Sequence, residues 1–179
     1  MSQVEISYEE TKQKMIEEIQ NHERGYLATS KGESVYVRQM MLISDGLTIW
    51  FITDQNTRKY KQIKANPNVG IAMGLSLHLE GTATLKGHPL EEENKAFIKA
   101  FQEKVPDIYE RSLRPGRILN RPGTRVIEIT PRKIALNVWT PHFDLEGFQP
   151  YTDILNVVKG EAHRISGVAE AYKAPAYKE

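Results

Sequence analysis

The sequence predicts a mainly β fold, an antiparallel barrel of about six strands with helices at its periphery. Runs rich in β-branched and aromatic residues follow one another along the chain and do not alternate with helices. The triplet "SDG" at residues 44–46 separates two such runs, as expected of a tight hairpin turn. This order of elements favours a meandering antiparallel sheet over a doubly wound parallel one.

The individual elements follow from local patterns along the chain. Strand-like runs cover residues 25–30, 35–43, 47–53, 68–74, 77–87, 125–131 and 133–139. We expect these seven runs to form about six strands. Helices are predicted over residues 7–22, 57–65 and 90–104. Ser7 and Glu10 have capping-box spacing at the start of the first helix, and the dipeptide Asn66-Pro67 ends the second. The third helix has an apolar face with two phenylalanines.

The composition is that of a compact globular protein. The 179 residues are 40% hydrophobic and 26% charged, and the formal net charge of +1 gives no reason to expect nucleic acid or an anionic membrane as a partner. The absence of cysteine excludes disulfides, thiolate metal sites and a cysteine nucleophile. No apolar stretch approaches the ~18 residues of a membrane span, and the N-terminus is too acidic for a signal peptide. We therefore expect a cytoplasmic protein.

A change of pattern near residue 140 predicts a boundary. Beyond it the chain mixes aromatic residues with proline and glycine, and the strand-like alternation weakens. We expect residues 1–140 to form the barrel domain. Residues 141–179 are expected to form a C-terminal extension that packs on the barrel, wraps a partner subunit, or frays over its last part.

The segment "FITDQNTRKYKQI" at residues 51–63 places hydroxyls and positive charges where a strand ends and a helix begins. Such a junction presents unpaired N–H groups and the positive end of a helix dipole, which suit a phosphate. Thr53 and Thr57 add hydroxyl donors, Arg58 adds a forked guanidinium, and Lys59 adds a mobile ammonium. Ordinary helix capping with solvated basic residues explains the same pattern.

Arg38 is a second unusual feature, because it lies in the middle of the predicted strand 35–43. Period-two alternation puts it on the same face as Tyr36 and Met40. A charge on an apolar face is costly unless it is paired or faces a ligand. A hairpin would place Arg38 on the strand next to the one that ends at Thr53, so that both line one groove. The alternative is a surface position or a structural ion pair with a carboxylate.

The strand with Arg38, the strand that ends at Thr53 and the basic helix start that follows it have the same order along the chain as in the FMN-binding split barrel family, which this sequence resembles. That family includes pyridoxamine 5′-phosphate oxidase and smaller relatives related to general stress protein 26. The resemblance covers residues 10–139. Its most specific part is "WFITDQNTRKYKQIKANPNVGIAM", which is similar to the family's aromatic-Phe-x-Thr, Ser/Thr-Arg-Lys and Asn-Pro-x-Val elements in the same order and close spacing.

The resemblance implies a six-stranded Greek-key split barrel that forms a homodimer, with FMN in clefts at the subunit interface. The cofactor-binding residues that it implies are Arg38, Gln39, Met40, Met41, Ile52, Thr53, Thr57, Arg58, Lys59, Ser76 and Trp139. The threonines and the basic pair would hold the flavin phosphate, and the run 38–41 would lie beside the isoalloxazine ring. Trp139 would stand where the family uses an aromatic residue of the partner subunit, unless the aligned position is Asn137.

Two departures from the oxidase pattern bear on function. Ile43 stands where the oxidase has a lysine that binds the substrate phosphate, and His163-Arg164 reverses the oxidase's Arg-x-His element. These departures count against pyridoxamine 5′-phosphate oxidase activity itself and leave flavin binding untouched. The predicted function is an FMN-dependent oxidoreductase with an unidentified small-molecule substrate or electron donor, and no catalytic residue is assigned. The alternative is a non-catalytic flavin-binding or stress-response protein, and an oligonucleotide-binding barrel is a weaker third idea.

The remaining polar groups give no distinct site. The histidines lack a metal-ligand spacing, so no metal site is predicted. Asp144 and Glu146 are close in sequence within a polar loop. The run "RSLRPGRILNRPGTR" at residues 111–125 carries five arginines but no aromatic residue on which a base would stack. It indicates a solvated loop, or a loop that reaches an anionic substrate at the dimer cleft.

Overall fold

A computed structural model describes residues 2–138 and 150–166 of the chain. Within these ranges the strands are β1 Ser2–Glu5, β2 Arg24–Lys31, β3 Ser34–Met41, β4 Ile43–Asp45, β5 Thr48–Asp54, β6 Asn68–Met73, β7 Leu77–Leu85, β8 Thr124–Val138, β9 Tyr151–Asn156 and β10 Glu161–Ser166. The α-helices are α1 Tyr8–Gln20, α2 Arg58–Ala65, α3 Lys95–Lys104 and α4 Pro106–Ser112. Short 3₁₀ turns cover Glu92–Asn94 and Ile118–Asn120. None of the helices in these two ranges has the length and apolar character needed to cross a membrane.

The strands form one antiparallel sheet that does not close on itself. Its order is β1-β10-β9-β8-β7-β6-β2-β3, and a branch leaves β8 through β5 to β4. β8 pairs with β7 along most of its length, while its other edge pairs first with β5 and then with β9. The predicted mainly β split barrel with peripheral helices is confirmed, although the strands described number ten where six were expected.

The difference in strand number has local causes. The runs 125–131 and 133–139 join into the single strand β8, because the partner strand β7 changes register opposite Pro131. A proline offers no N–H to a ladder, and the register shift between Glu80 and Gly81 accommodates it. A Cβ on Gly81 would lie 2.9 Å from the Thr130 carbonyl oxygen, so this close approach of the two strands requires glycine.

The predicted hairpin between the strand of Arg38 and the strand ending at Thr53 is wrong. The run 35–43 breaks at Leu42, which is buried and whose N–H donates to the carbonyl of Glu23 at 2.8 Å. Before the break, β3 pairs with β2; after it, β4 pairs with β5 through the turn at Gly46, where φ is +55°. The "SDG" turn is therefore correct, but it belongs to the short strand β4.

The core has two parts that share β5. Alternate residues of β5 point to opposite sides, with Phe51 packed in a barrel cluster and Trp50 in a helix cluster. The barrel cluster includes Met15 and Ile19 of α1 beside the inward residues of the sheet. The helix cluster comprises Ile43, Trp50, Phe97, Ala100, Phe101, Val105, Leu119 and Val126. Burial on both faces explains why β5 reads as a nearly continuous apolar run.

A buried ionic cluster ties α1 to β9 and β10. Asp153 is 1% exposed, and its carboxylate accepts hydrogen bonds from Lys14 Nζ at 2.7 Å and from Arg164 Nε and Nη2 at 2.7 and 3.1 Å. The guanidinium of Arg164 also lies 3.8 Å from the centroid of the Tyr151 ring. Burial alone would raise the pKa of Asp153, but the hydrogen bonds from Arg164 and then Lys14 outweigh it and lower the pKa. Because β9 pairs with β8, residues 151–166 continue the sheet. The domain boundary expected at residue 140 stays a prediction.

We expect Asp153→Asn to lower the free energy of unfolding by about 1–2 kcal/mol at neutral pH, because the buried carboxylate loses its charge-assisted hydrogen bonds while Lys14 and Arg164 stay partly solvated. The native pKa of Asp153 is below its unfolded value, so the unfolded state binds more protons as the pH falls and this stabilisation is then lost. Urea denaturation at several pH values measures both effects. The variant and the parent should converge below pH ~4. A difference that stays constant down to pH ~2 would contradict the role of the carboxylate charge.

Candidate functional site

The junction between β5 and α2 brings two threonines and a lysine together. The hydroxyl oxygens of Thr53 and Thr57 lie 3.0 Å apart, and Lys59 Nζ donates to Thr53 Oγ1 at 3.3 Å. Thr57 is the N-cap of α2, with its hydroxyl donating to the Asp54 carbonyl and accepting from the N–H of Tyr60 at 3.5 Å. The capping interpretation is thus correct for Thr57. It gives no role to the basic residues, because neither charge is needed to cap a helix.

Arg38 reaches this junction through a buried polar network and not through a hairpin. Its Nη1 donates to Thr29 Oγ1 at 2.7 Å and to the Leu27 carbonyl at 3.3 Å, and its Nη2 donates to Gln62 Oε1 at 3.0 Å. Thr29 Oγ1 also donates to Gln62 Oε1 at 2.7 Å. All these partners are neutral, so Arg38 is held in place while its charge stays uncompensated. The alternative of an ion pair with a carboxylate is not what the described residues form.

Three positive charges therefore converge at the N-terminus of α2. Burial, followed by the charge of Arg58, lowers the pKa of Arg38. Burial, followed by the charge of Arg38, lowers the pKa of Lys59. The guanidinium of Arg58 lies over the ring of Tyr36 at 5.5 Å. In the two described ranges, no carboxylate lies within 4.0 Å of any of these three cations.

A surface pocket of about 490 Å³ gives access to these charges. Its walls are the residues 35–38 of β3 together with Arg58 and Lys59. Below it lies Gln62, whose Nε2 is the one buried side-chain nitrogen or oxygen in the described ranges without a hydrogen-bond partner. A buried donor without an acceptor is costly. The three uncompensated cations around the pocket lack an anionic, oxygen-rich ligand such as a phosphate ester.

The other sequence-predicted residues divide by their position on the sheet. Gln39 is exposed on the opposite face of β3 from Arg38. Met40 packs against the barrel cluster, whereas Met41 and Ile52 pack against the helix cluster. The side chains of Met40, Met41 and Ile52 are therefore partly taken up by packing, whereas that of Gln39 lies on the face opposite Arg38.

Ser76 is not brought to the junction within one chain. It lies in the turn between β6 and β7, where its carbonyl accepts from the N–H of Asn137 near the end of β8. Thr53 instead pairs with Arg125 at the beginning of the same strand. Trp139 lies outside the described residues, as do Asp144 and Glu146 of the polar loop.

Sequence reasoning missed Thr29 and Gln62, which hold Arg38. Both are buried polar residues on otherwise apolar faces, with Thr29 alternating inward on β2 and Gln62 preceding the buried Ile63 on α2. A buried amide or hydroxyl needs a partner, but this burial depends on packing between distant segments, so the sequence carries no signal for it. In the described part of the chain, no three residues of the His, Cys, Asp and Glu types group as a metal site would require.

Comparison with known proteins gives one consistent result. The family model described as pyridoxamine 5′-phosphate oxidase matches residues 11–137. General stress protein 26 of Bacillus subtilis strain 168 is 31% identical over 134 residues, which is 73% of this chain and 91% of that protein. A putative pyridoxamine 5′-phosphate oxidase from Listeria innocua has a similar structure, with a TM-score of 0.55 and 22% identity over 70% of this chain and 97% of that one. A pyridoxamine 5′-phosphate oxidase-related, FMN binding protein from Nostoc punctiforme has a TM-score of 0.55 and 16% identity, covering 81% of this chain and 86% of that one.

Proposed function

This chain belongs to the pyridoxamine 5′-phosphate oxidase family, and from that membership we propose that it is a cytoplasmic flavoprotein that binds FMN and acts as an FMN-dependent oxidoreductase. The observation that carries the proposal is the convergence of Arg38, Arg58 and Lys59 without a carboxylate partner among the described residues. A phosphate monoester carries nearly two negative charges at neutral pH. It is the part of FMN that such a group of cations would hold.

The residues of the junction offer the types of polar group that bind a phosphate. Thr53 and Thr57 present hydroxyls, Arg58 presents a fork, Lys59 presents a point charge, and the first N–H groups of α2 add backbone donors. Arg38 and the backbone of β3 beside it would border the isoalloxazine ring. That ring would supply the electron-transfer chemistry when bound, while the protein orients it and excludes water.

We expect Arg58→Ala combined with Lys59→Ala to weaken FMN binding by at least tenfold, because charge-assisted hydrogen bonds contribute about 1.5–3 kcal/mol each. Riboflavin lacks the phosphate, so its affinity should scarcely change. Fluorescence titration of both ligands into the purified apoprotein measures the difference.

The matched control is Lys61→Ala with Lys64→Ala, which removes the same charge from exposed positions of the same helix. FMN affinity should survive in this control. Equal losses of affinity for FMN and riboflavin in the Arg58/Lys59 variant would contradict the binding of the phosphate at this junction. So would an equal loss of FMN in the control.

We propose that the protein is a homodimer, and the outer face of the sheet supports this. Tyr26, Val35 and Val37 are 51%, 67% and 63% exposed, and a shallow groove of about 670 Å³ with a largely apolar lining runs from Val37 across the sheet to Ile154. Contiguous exposed apolar surface of this kind is uncommon on monomers. A second copy seated there would cover it, and Ser76 of one subunit would then approach the flavin of the other.

We expect Val37→Lys to convert the dimer to a monomer, because it places an unpaired charge within the proposed interface. Light scattering on the purified protein measures the mass. Val158→Lys is the matched control: Val158 is 74% exposed in the turn between β9 and β10, away from the groove, and its substitution should leave the dimer intact. A parent protein that is monomeric, or a Val37→Lys protein that stays dimeric, would contradict this interface.

A non-catalytic flavin-binding protein is the second candidate, and the observation that favours it is Ile43. This residue stands where the oxidase has its substrate lysine, and here it is 1% exposed inside the helix cluster. It therefore presents no group to a substrate. We therefore expect no pyridoxamine 5′-phosphate oxidase activity. The replacement of the lysine does not affect other redox reactions of a bound flavin.

Anaerobic addition of NADH or NADPH to the FMN-loaded protein separates the two candidates. For an oxidoreductase we expect the flavin absorption near ~450 nm to bleach and to recover with an electron acceptor, since the cofactor carries the redox chemistry. Free FMN at the same concentration is the control for non-enzymatic reduction. A protein-bound flavin that is reduced no faster than free FMN by either nucleotide would favour the binding protein.

A further inference from the structure

The arginine-rich segment 111–125 forms a pocket that the flavin proposal does not use. The pocket lies between α4 and the 3₁₀ turn Ile118–Asn120 and has a volume of about 460 Å³. Arg111, Arg114, Arg117 and Arg121 line it, and no acidic residue does. It is distinct from the pocket at the junction between β5 and α2, with which it shares no residue.

Consecutive turns keep the backbone of this segment compact. The carbonyl of Arg111 accepts from the N–H of Arg114, that of Arg114 from Arg117, and that of Arg117 from Asn120. These turns, with Gly116 at a φ of +75°, bring the four arginines to the lining of one pocket.

The segment is held in this shape by the protein interior. Leu119 is fully buried in the helix cluster, and Thr124 Oγ1 donates to the Ile118 carbonyl at 2.6 Å. The Nε atoms of Arg111 and Arg121 donate to the carbonyls of Asp107 and Gly116 at 3.1 and 2.8 Å. These bonds hold two of the four arginine side chains in place, so a ligand that contacts them loses less side-chain entropy than it would with four free side chains.

The charge of the pocket is not compensated. In the described ranges, none of its four arginines has a carboxylate within 4.0 Å. Guanidinium groups bind phosphate oxygens in pairs of parallel hydrogen bonds, so four of them suit more than one phosphoryl group. The volume is within the range of small-molecule sites. The lining contains Ile108 and Ile118 but no aromatic side chain, so a single-stranded nucleic acid would find no stacking platform.

We infer that this pocket is a second anion site, which binds a small molecule carrying a pyrophosphate or two neighbouring phosphoryl groups. Arg114 and Arg117 contribute most directly, because their side chains donate no hydrogen bond to the described protein and are free to turn to the ligand. The segment that carries the site continues to the junction between β5 and α2, where the Gly123 carbonyl accepts from the N–H of Gln55 at 2.9 Å.

Calorimetric titration with inorganic pyrophosphate tests the site in protein that already carries Arg58→Ala and Lys59→Ala, so that the junction between β5 and α2 keeps only the charge of Arg38. We expect pyrophosphate to bind this protein, and more tightly than orthophosphate. Adding Arg114→Ala with Arg117→Ala should weaken pyrophosphate at least tenfold without lowering the melting temperature, because both side chains are exposed. Arg114→Lys with Arg117→Lys, which keeps the charge and removes the forks, should lose part of the affinity and provides a second test should the alanine variant unfold.

Lys31→Ala with Lys159→Ala is the charge-matched control, since it removes two positive charges at exposed hairpin turns away from the pocket. Pyrophosphate affinity should be unchanged in it. Failure to bind pyrophosphate, or an equal loss in the control, would overturn the site whether or not FMN binds. A single-stranded oligonucleotide that binds more tightly than pyrophosphate through the same arginines would overturn the small-molecule assignment in favour of nucleic acid.

Discussion

The strand β8 is the element on which the other parts of the molecule depend. Each edge of a strand offers one ladder of hydrogen bonds, and β8 uses one edge for β7 and divides the other between β5 and β9. Its first half therefore positions β5, and with it Thr53 and the start of α2. Its second half positions β9 and the buried Asp153. The division of one edge between two partners produces the split in the barrel and separates the two ends of the sheet.

The junction between β5 and α2 illustrates how a fold holds like charges together. Arg38, Arg58 and Lys59 are positioned by neutral groups and an aromatic ring, and the interior supplies the rest of the free energy that keeps them close. By contrast, Asp153 collects two cations around one buried carboxylate. The second arrangement is complete in itself and stabilises the fold. The first is complete only when an anion is added, which is why we assign it to binding and not to stability.

Helix ends and turns could be predicted from the sequence, because their signals lie within a few neighbouring residues. Ser7 caps α1 by accepting from the N–H of Glu10, Asn66-Pro67 ends α2, and the turn at Gly46 has the positive φ that glycine allows. The break at Leu42 was not predictable, because the 35–43 run is uniformly strand-like and its partner, the Glu23 carbonyl, comes from a distant part of the chain. The link from Arg38 to Gln62 was missed for the same reason. The identity of the charged residues was readable from the sequence, whereas the neutral residues that hold them were not.

The two ends of the open sheet have different surfaces, and this has a consequence for aggregation. One outermost strand, β1, is short, and it carries Gln3 and Glu5 among exposed residues. Short polar edge strands resist pairing with foreign chains. The other outermost strand, β3, is longer and presents two exposed valines next to backbone groups that pair with no other strand in the part of the chain that the structure describes. An unfolded or partly folded neighbour would therefore add to the β3 edge, and residues 34–41 are the segment from which intermolecular β-structure would grow if that edge were left uncovered.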